Sequence, residues 1–257
     1  MPDETTVAIV TGGGGALGSA IGRQLRLDGH HVVLADVNET AAAAAADTLS
    51  SEAGRAQTQV TAEQVDVADL GSIRDLVQRV AARFGRIDVL VNNAAVQRRG
   101  SLADVAIEDW DFLMNVDLRG PLLMAQAIFP YWEKQRAGSV VNIASRVWVS
   151  GGAPTYVAAK AGVVGLTRSM ATELAPLGVT ANAVAPSFVA TEFTRGGRNE
   201  QEFAEIIERN RKITPLGRLA EPEDIAHSVA FLASPRARHI TGEVLHVCGG
   251  SQMAPLT

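Results

Sequence analysis

The sequence predicts an α/β fold, a doubly wound parallel sheet of about seven strands with helices on both faces, and three observations carry that reading. Short apolar runs alternate with longer segments of helical periodicity, the pattern of repeated βαβ units. Each run ends in polar or small residues, as strands do at the carboxyl edge of a parallel sheet. With 257 residues, 47% of them hydrophobic and 20% charged, the chain can bury one large core. No composition shift or linker divides it, so residues 1–257 read as a single domain.

Val7–Val10 is the first strand and Ala16–Leu27 the first helix. His31–Ala35 follows as strand and Asn38–Ala53 as helix; the six alanines Ala41–Ala46 have high helix propensity and belong to that helix rather than to a linker. Gln59–Asp66 supplies a strand, Leu70–Phe84 a helix and Val89–Val91 a strand. Then come a helix near Asp117–Gln135, the strand Ser139–Ala144, a helix about Thr155–Ala175 and the strand Val179–Ala185. Pro222–Leu232 reads as helix and Glu243–Val247 as the last strand. Between Ala185 and Pro222, Thr191–Thr214 breaks the rhythm: Phe203, Ile206, Ile207 and Ile213 are apolar at helical spacing in charged surroundings. That segment reads as an inserted lid beside the strand ends, the competing reading being a surface excursion with one greasy face.

Charge and cysteine content exclude several functions. Twenty-three basic against 28 acidic residues give a net charge of −5, which repels nucleic acid and anionic membrane. The single cysteine, Cys248, cannot form an internal disulfide, and no cysteine or histidine cluster has metal-site spacing. His30, His31, His227, His239 and His246 lack motif partners and read as structural. Met1-Pro2-Asp3-Glu4 is acidic where a secretory signal needs positive charge, and Val7–Val10 is too short for a signal core or a membrane span, so a cytoplasmic protein is expected.

Directly after the first strand stands Thr11-Gly12-Gly13-Gly14-Gly15-Ala16-Leu17-Gly18, and a helix opens at once. Glycines there let the backbone turn tightly and approach a pyrophosphate, while the helix N-terminus offers unpaired N–H groups. A glycine string also serves plain turns; its place at the first βα junction is what points to a dinucleotide. Eighteen residues beyond Gly18 the second strand ends in Asp36, whose carboxylate can accept hydrogen bonds from both ribose hydroxyls and would repel a 2′-phosphate. Val37 follows, and no lysine or arginine lies in the loop to neutralise such a phosphate, so NAD is expected over NADP.

Tyr156 and Lys160 are four apart in a helical window and share a face. Lowering a tyrosine pKa by about three units requires roughly 4 kcal/mol. One ammonium about 4 Å away, at an effective dielectric of about 20, supplies roughly that. The pair is therefore a physically sufficient acid/base for an alcohol or carbonyl, although the same spacing is common on plain helix surfaces.

These motifs, with Asp66-Val67 after the third strand, Asn92-Asn93-Ala94-Ala95 after the fourth, Asn115 in Met-Asn-Val-Asp, Ser145 after the fifth and Asn182–Pro186 leading to Thr191, make the chain resemble the short-chain dehydrogenase/reductase family over nearly its whole length. The resemblance implies a Rossmann-like NAD-binding fold in which Tyr156 exchanges the substrate hydroxyl proton. It implies that Lys160 lowers the tyrosine pKa and holds the nicotinamide ribose, that Ser145 binds the substrate oxygen, and that Asn115 holds a relay water. It further places Gly12, Gly15, Ala16, Leu17, Gly18, Asp36 and Val37 at the nucleotide, Asp66 and Val67 at the adenine, Asn92, Ala94 and Pro186 along the cofactor, and Val189 and Thr191 at the carboxamide.

Several positions depart from the family pattern. The interval from Ser145 to Tyr156 is shorter than usual, so the loop Arg146–Thr155 must turn tightly, helped by Gly151-Gly152; Ser150 is the rival if the register has shifted. Ser145 is preferred because it directly follows a strand. Ser187, Ala95 and Cys248 stand where the family commonly has glycine, glycine and aspartate.

Substrate contacts are expected from the loops after the fourth, fifth and sixth strands, with Arg98, Arg146, Trp148 and Phe188 as candidates and Arg99 beside them. An inward arginine would suit an anionic group; arginines solvated on the surface are the alternative. The function that follows is an NAD-dependent oxidoreductase interconverting a secondary alcohol and a ketone. The alternative is a 3-oxoacyl thioester reductase, acting on an acyl-carrier-protein or coenzyme A thioester. A protein of another class, sensing NAD without turnover, would have lost Tyr156, Lys160 or Ser145, and all three are present. Family relatives commonly form homotetramers through the helix bearing Tyr156, and Ala158, Ala159, Val163, Val164 and Leu166 offer a face for that.

Overall fold

The computed structural model describes residues 5–52, 58–98 and 100–253. Seven parallel strands form one sheet in the order β3-β2-β1-β4-β5-β6-β7. They are β1 (Val7–Thr11), β2 (His31–Asp36), β3 (Val60–Gln64), β4 (Val89–Asn92), β5 (Gly138–Ile143), β6 (Val179–Pro186) and β7 (Val244–Val247). The order reverses between β1 and β4, and at such a switch point the crossovers diverge and leave a crevice above the strand ends.

Strand β1 shows why the sheet is covered on both sides. Val7 and Ile9 face one core with α3 (Leu70–Phe84), α5 (Gly120–Gln135) and α7 (Pro154–Leu174). Ala8 and Val10 face the other, with α1 (Ala16–Leu27), α2 (Glu39–Ser51) and α10 (Pro222–Ala233). Alternate residues of a strand point to opposite faces, so a strand apolar at every position must be buried twice. Local chemistry sets the helix ends. Asn38 caps α2 by accepting from the Ala41 N–H, Asp69 caps α3 through the Gly71 N–H, and Gly85 ends α3 at a φ of 75° that favours glycine.

The region read as one helix near Asp117–Gln135 is a longer assembly. Helix α4 (Ile107–Met114) runs into a π-helical turn at Asn115–Arg119 and then α5. The π turn widens the helix by a residue and turns both Asn115 and Asp117 relative to an unbroken helix. The short loop after β5 contains a one-turn helix, α6 (Val147–Ser150), and leaves it through Gly151 at φ 78°. A helical turn rises only about 1.5 Å per residue, so it folds the connection close to the strand end.

Thr191–Thr214 holds two helices, α8 (Glu192–Arg195) and α9 (Glu200–Lys212). A bridge between Val189 and Ala220 ties the two ends of this excursion together. Phe203, Ile206, Ile207 and Ile213 are half-buried, so the apolar stripe of α9 faces the body. Among the described residues no helix is long and apolar enough to cross a membrane.

Candidate active site

A cleft of about 450 Å³ opens above the carboxyl ends of β1, β2, β4, β5 and β6. At one end lie Gly12, Gly14, Gly15, Ala16, Leu17, Gly18 and Asp36; at the other Ser145, Tyr156, Lys160, Pro186, Ser187 and Val189, with Thr191–Thr194 from α8 along one side and Asn93–Ala95 between.

The nucleotide end is made of backbone. Gly12 adopts φ 65°, and a Cβ there would lie 2.9 Å from the Cα of Ala94. A Cβ on Gly18 would lie 2.1 Å from the Gly12 carbonyl oxygen. The loop is therefore pressed onto the start of α1, which follows Gly15, an N-cap with no side chain to bond its amides. Its first-turn N–H groups stay available to an anion. Asp36 is fixed from two sides, Oδ2 accepting from the Gly14 N–H at 3.0 Å and Oδ1 from the Asn38 N–H at 2.9 Å. A dinucleotide fits these residues: open amides for the pyrophosphate, a rigid carboxylate for ribose hydroxyls, and no Cβ in the way.

The other end is made of side chains. Ser145 stands two residues after the end of β5, with its hydroxyl accepting from the Val147 N–H at 3.4 Å, whereas the Ser150 hydroxyl donates back to the Arg146 carbonyl and does not line the cleft. On α7, Lys160 Nζ lies 5.4 Å from the centre of the Tyr156 ring. The ammonium donates to the Ile143 carbonyl at 3.2 Å and pairs with Asp117 Oδ2 at 3.1 Å. Burial raises the Tyr156 phenol above its ordinary pKa; Lys160 and a hydrogen bond from Ser145 pull it down, and Asp117 pushes it up again. Burial alone would lower Lys160, but the Asp117 carboxylate and the phenol outweigh it and hold its pKa up. Burial raises Asp117 likewise, opposed by the Lys160 charge and the Val96 N–H.

The structure does not bring every sequence-predicted residue to the cleft. Asn92 is buried and donates to Asn142 Oδ1 at 2.8 Å, tying β4 to β5, and its neighbour Asn93 faces the cleft instead, bonding the Thr11 and Gly12 carbonyls. Asp66 accepts from the Ala68 N–H in a local turn, Val67 is buried against Gly120, and Val37 is 64% exposed; none of the three lines the cleft. Asn115 sits in the π turn and does not line it either.

None of the four substrate candidates lines the cleft. Arg98 pairs with Asp109 at 2.9 Å and stacks over Phe112. Arg146 donates to the Ser251 carbonyl, and Trp148 donates to His246 Nε2 at 3.1 Å. Phe188 lies against Phe203 of α9. Each found a partner on another element, for Arg146 and Trp148 one remote in sequence, so its loop position said nothing of its direction. Arg99 lies outside the described residues. Sequence reasoning also passed over Asp117. Its signal was a carboxylate set among Val116, Leu118 and Leu122, which reads equally as a helix-start acid.

A family model described as enoyl-(acyl carrier protein) reductase matches residues 14–252. The chain is 36% identical over 255 residues to the (2S)-[(R)-hydroxy(phenyl)methyl]succinyl-CoA dehydrogenase subunit BbsD of Thauera aromatica, covering 98% of this chain and 99% of that protein. It is 37% identical over 251 residues to the 3-oxoacyl-[acyl-carrier-protein] reductase FabG of Staphylococcus aureus, covering 97% and 99%. The crystal structure of levodione reductase superposes with a TM-score of 0.90 at 30% identity, over 97% of this chain and 98% of that one.

Proposed function

The chain belongs to the short-chain dehydrogenase/reductase family, oxidoreductases acting on CH–OH and C=O groups, and from that premise we propose that it interconverts a secondary alcohol and a ketone with NAD(H). The observation that carries this reading is the joint presence of Ser145, Tyr156 and Lys160 at one end of a cleft whose other end is the glycine loop and Asp36.

When bound, a nicotinamide dinucleotide supplies the hydride acceptor or donor. The chain's own residues do the rest. The first-turn amides of α1 hold the pyrophosphate, and Asp36 accepts from the adenosine ribose while repelling a 2′-phosphate. Lys160 is the one cation among the described lining residues and sits at the far end, so nothing near Asp36 would neutralise that phosphate. Ser145 positions the substrate oxygen by hydrogen bonding. Tyr156 takes the hydroxyl proton in oxidation and returns it to the carbonyl oxygen in reduction, its phenol lying within the field of Lys160. Pro186, Val189 and Thr191 flank the nicotinamide end, with Thr191–Thr194 along one side of it, and in this reading the Thr191–Thr214 excursion closes over it.

The described substrate side of the cleft carries Ala95, Ser187 and Phe193 and, apart from the buried Lys160, no cation. This favours a neutral carbonyl region of the substrate, with any anionic carrier outside the cleft. Phe129, Leu166 and Met170 line a second, shallow cavity between α5 and α7, on the face through which we expect a homotetramer.

The test is nucleotide reduction, read by absorbance, across secondary alcohols, hydroxy acids and 3-hydroxyacyl thioesters, with NAD and with NADP. Turnover with NAD on simple alcohols supports the reading. The 3-oxoacyl thioester reading is favoured by the likeness to FabG, and preference for a thioester with NADP would replace ours by it. Tyr156→Phe removes the transferable proton and leaves the ring, so turnover should fall by about 10²–10⁴-fold with nucleotide affinity kept. Nucleotide binding without turnover on any substrate, in wild type as in the variant, is the result expected of a sensor.

A further inference from the structure

Lys160 is held twice, and one of its two partners lies outside the sheet. The Ile143 carbonyl, at the end of β5, is a fixed dipole. Asp117 is a full charge that is 1% exposed and arrives from the π-helical turn before α5. Its Oδ1 accepts from the Val96 N–H at 2.8 Å, pinning the loop that follows β4. Its Oδ2 faces only the Lys160 ammonium among the described residues, at 3.1 Å. A carboxylate so deeply buried is retained only where a partner compensates its lost hydration.

Resting on the reading of Tyr156 as the proton-transfer group, we propose that Asp117 is a positioning residue, a buried counter-ion that aims Lys160 and keeps the Tyr156–Lys160 pair protonated to higher pH than Lys160 alone would. The effect is electrostatic. An isolated ammonium beside a phenol stabilises the phenolate. A carboxylate on the same ammonium repels that phenolate and cancels part of the gain. Removing a nearby negative charge lowers the proton affinity of the pair as a whole, whichever of its members loses the first proton.

The surroundings leave these charges in command. From β5 and the two residues after it come only the Ile143 carbonyl and the Ser145 hydroxyl, and β6 brings no charged group. Before α6, Arg146 is directed to the Ser251 carbonyl. On α4, Glu108 and Asp111 are exposed and Asp109 is engaged by Arg98. Lys160 and Asp117 are the charges that bear on the phenol, with opposite sign, which agrees with the geometry. The consequence is directional. At neutral pH the phenol keeps its proton and is set to donate it to a carbonyl oxygen, so ketone reduction is served there, while alcohol oxidation needs alkaline conditions.

The experiment titrates the phenol directly. The chain has two tyrosines, so 13Cζ-tyrosine labelling of the full-length protein gives two resonances, and Y156F assigns them. Asp117→Asn removes the charge and keeps an acceptor for Val96; Asp117→Ser is the second neutral variant, and thermal unfolding of each verifies the fold. We expect Tyr156 to ionise about one to two pH units lower in the neutral variants, the low-pH limb of kcat/KM for alcohol oxidation to move with it, and Asp117→Glu to restore both. A folded neutral variant whose Tyr156 titrates as in wild type, or at higher pH, overturns the proposal and leaves Asp117 as a strut for Val96. The titration needs neither cofactor nor turnover. Failure of the proposed function, seen as absent turnover in wild type, is therefore a separate result.

Discussion

The two ends of the cleft are built from different materials. At the nucleotide end the recognising groups are mostly amides, and one local sequence, Thr11–Gly18, with the Asp36 carboxylate, forms nearly all of it. At the reacting end the groups are side chains delivered from far apart: Ser145 from just after β5, Tyr156 and Lys160 from α7, and Asp117 from the π turn. Backbone recognition is fixed by sterics and tolerates no added atom. Side-chain recognition can be altered one charge at a time without moving the chain. The reacting end should therefore lose chemistry while keeping affinity, as expected of Tyr156→Phe, and the nucleotide end should lose affinity as a unit.

Gly18→Ala is the strongest test of that contrast. The new Cβ, 2.1 Å from the Gly12 carbonyl oxygen, meets backbone, and backbone cannot rotate aside. Overpacking of this kind costs about 1–3 kcal/mol, so NAD affinity measured by titration calorimetry should fall by about 5- to 150-fold, with turnover at saturation much less affected. An affinity equal to wild type would mean the loop relaxes like a side chain, and the contrast would collapse.

Asp36→Ala is expected to act on selectivity rather than on the loop, because it removes the one side chain at the backbone end. Losing a charged acceptor for the ribose hydroxyls is worth about 1.5–3 kcal/mol, so the ratio of NAD to NADP affinity should drop about tenfold or more. The variant also frees the Gly14 and Asn38 amides, which lie near where a 2′-phosphate would sit. An unchanged ratio would place the discrimination elsewhere.

The same division explains what could be read from the sequence. Strands β1 to β7 lie where the apolar runs place them, and α1 and α3 match their expected bounds residue for residue, because cap and pattern are encoded within one element. The glycine loop and Asp36 were legible for that reason: a strand end, a turn and a helix start are consecutive in the chain. Helix α4 escaped because its apolar residues are not buried as a stripe; Ile107 is 66% exposed and Leu113 is its one fully buried residue. The ion pair of Asp117 with Lys160 escaped for a deeper reason. Its members come from separate helices, and the π turn that aims the carboxylate leaves no mark in the hydrophobic pattern. Direction was likewise invisible for Trp148, whose partner His246 lies on β7.

Arg98 gives the smallest effect and the sharpest statement of that last point. By position it follows β4, where substrate-binding side chains are expected, and by charge it suits an anion. Its guanidinium is committed instead to Asp109 and to the face of Phe112, 4.5 Å from the ring centre, and all three are half-exposed or more. A solvent-exposed ion pair is worth about 0–1 kcal/mol after screening, and a cation–π contact at such a site about 0.5–1 kcal/mol. Arg98→Ala should thus lower thermal stability slightly and change kcat/KM by less than about twofold on any substrate, since a group turned out of the cleft has no differential contact with the transition state. A larger loss confined to anionic substrates would show that Arg98 leaves Asp109 when such a substrate binds. The reacting end would then be assembled partly by its ligand, in contrast to a nucleotide end already complete in the free protein.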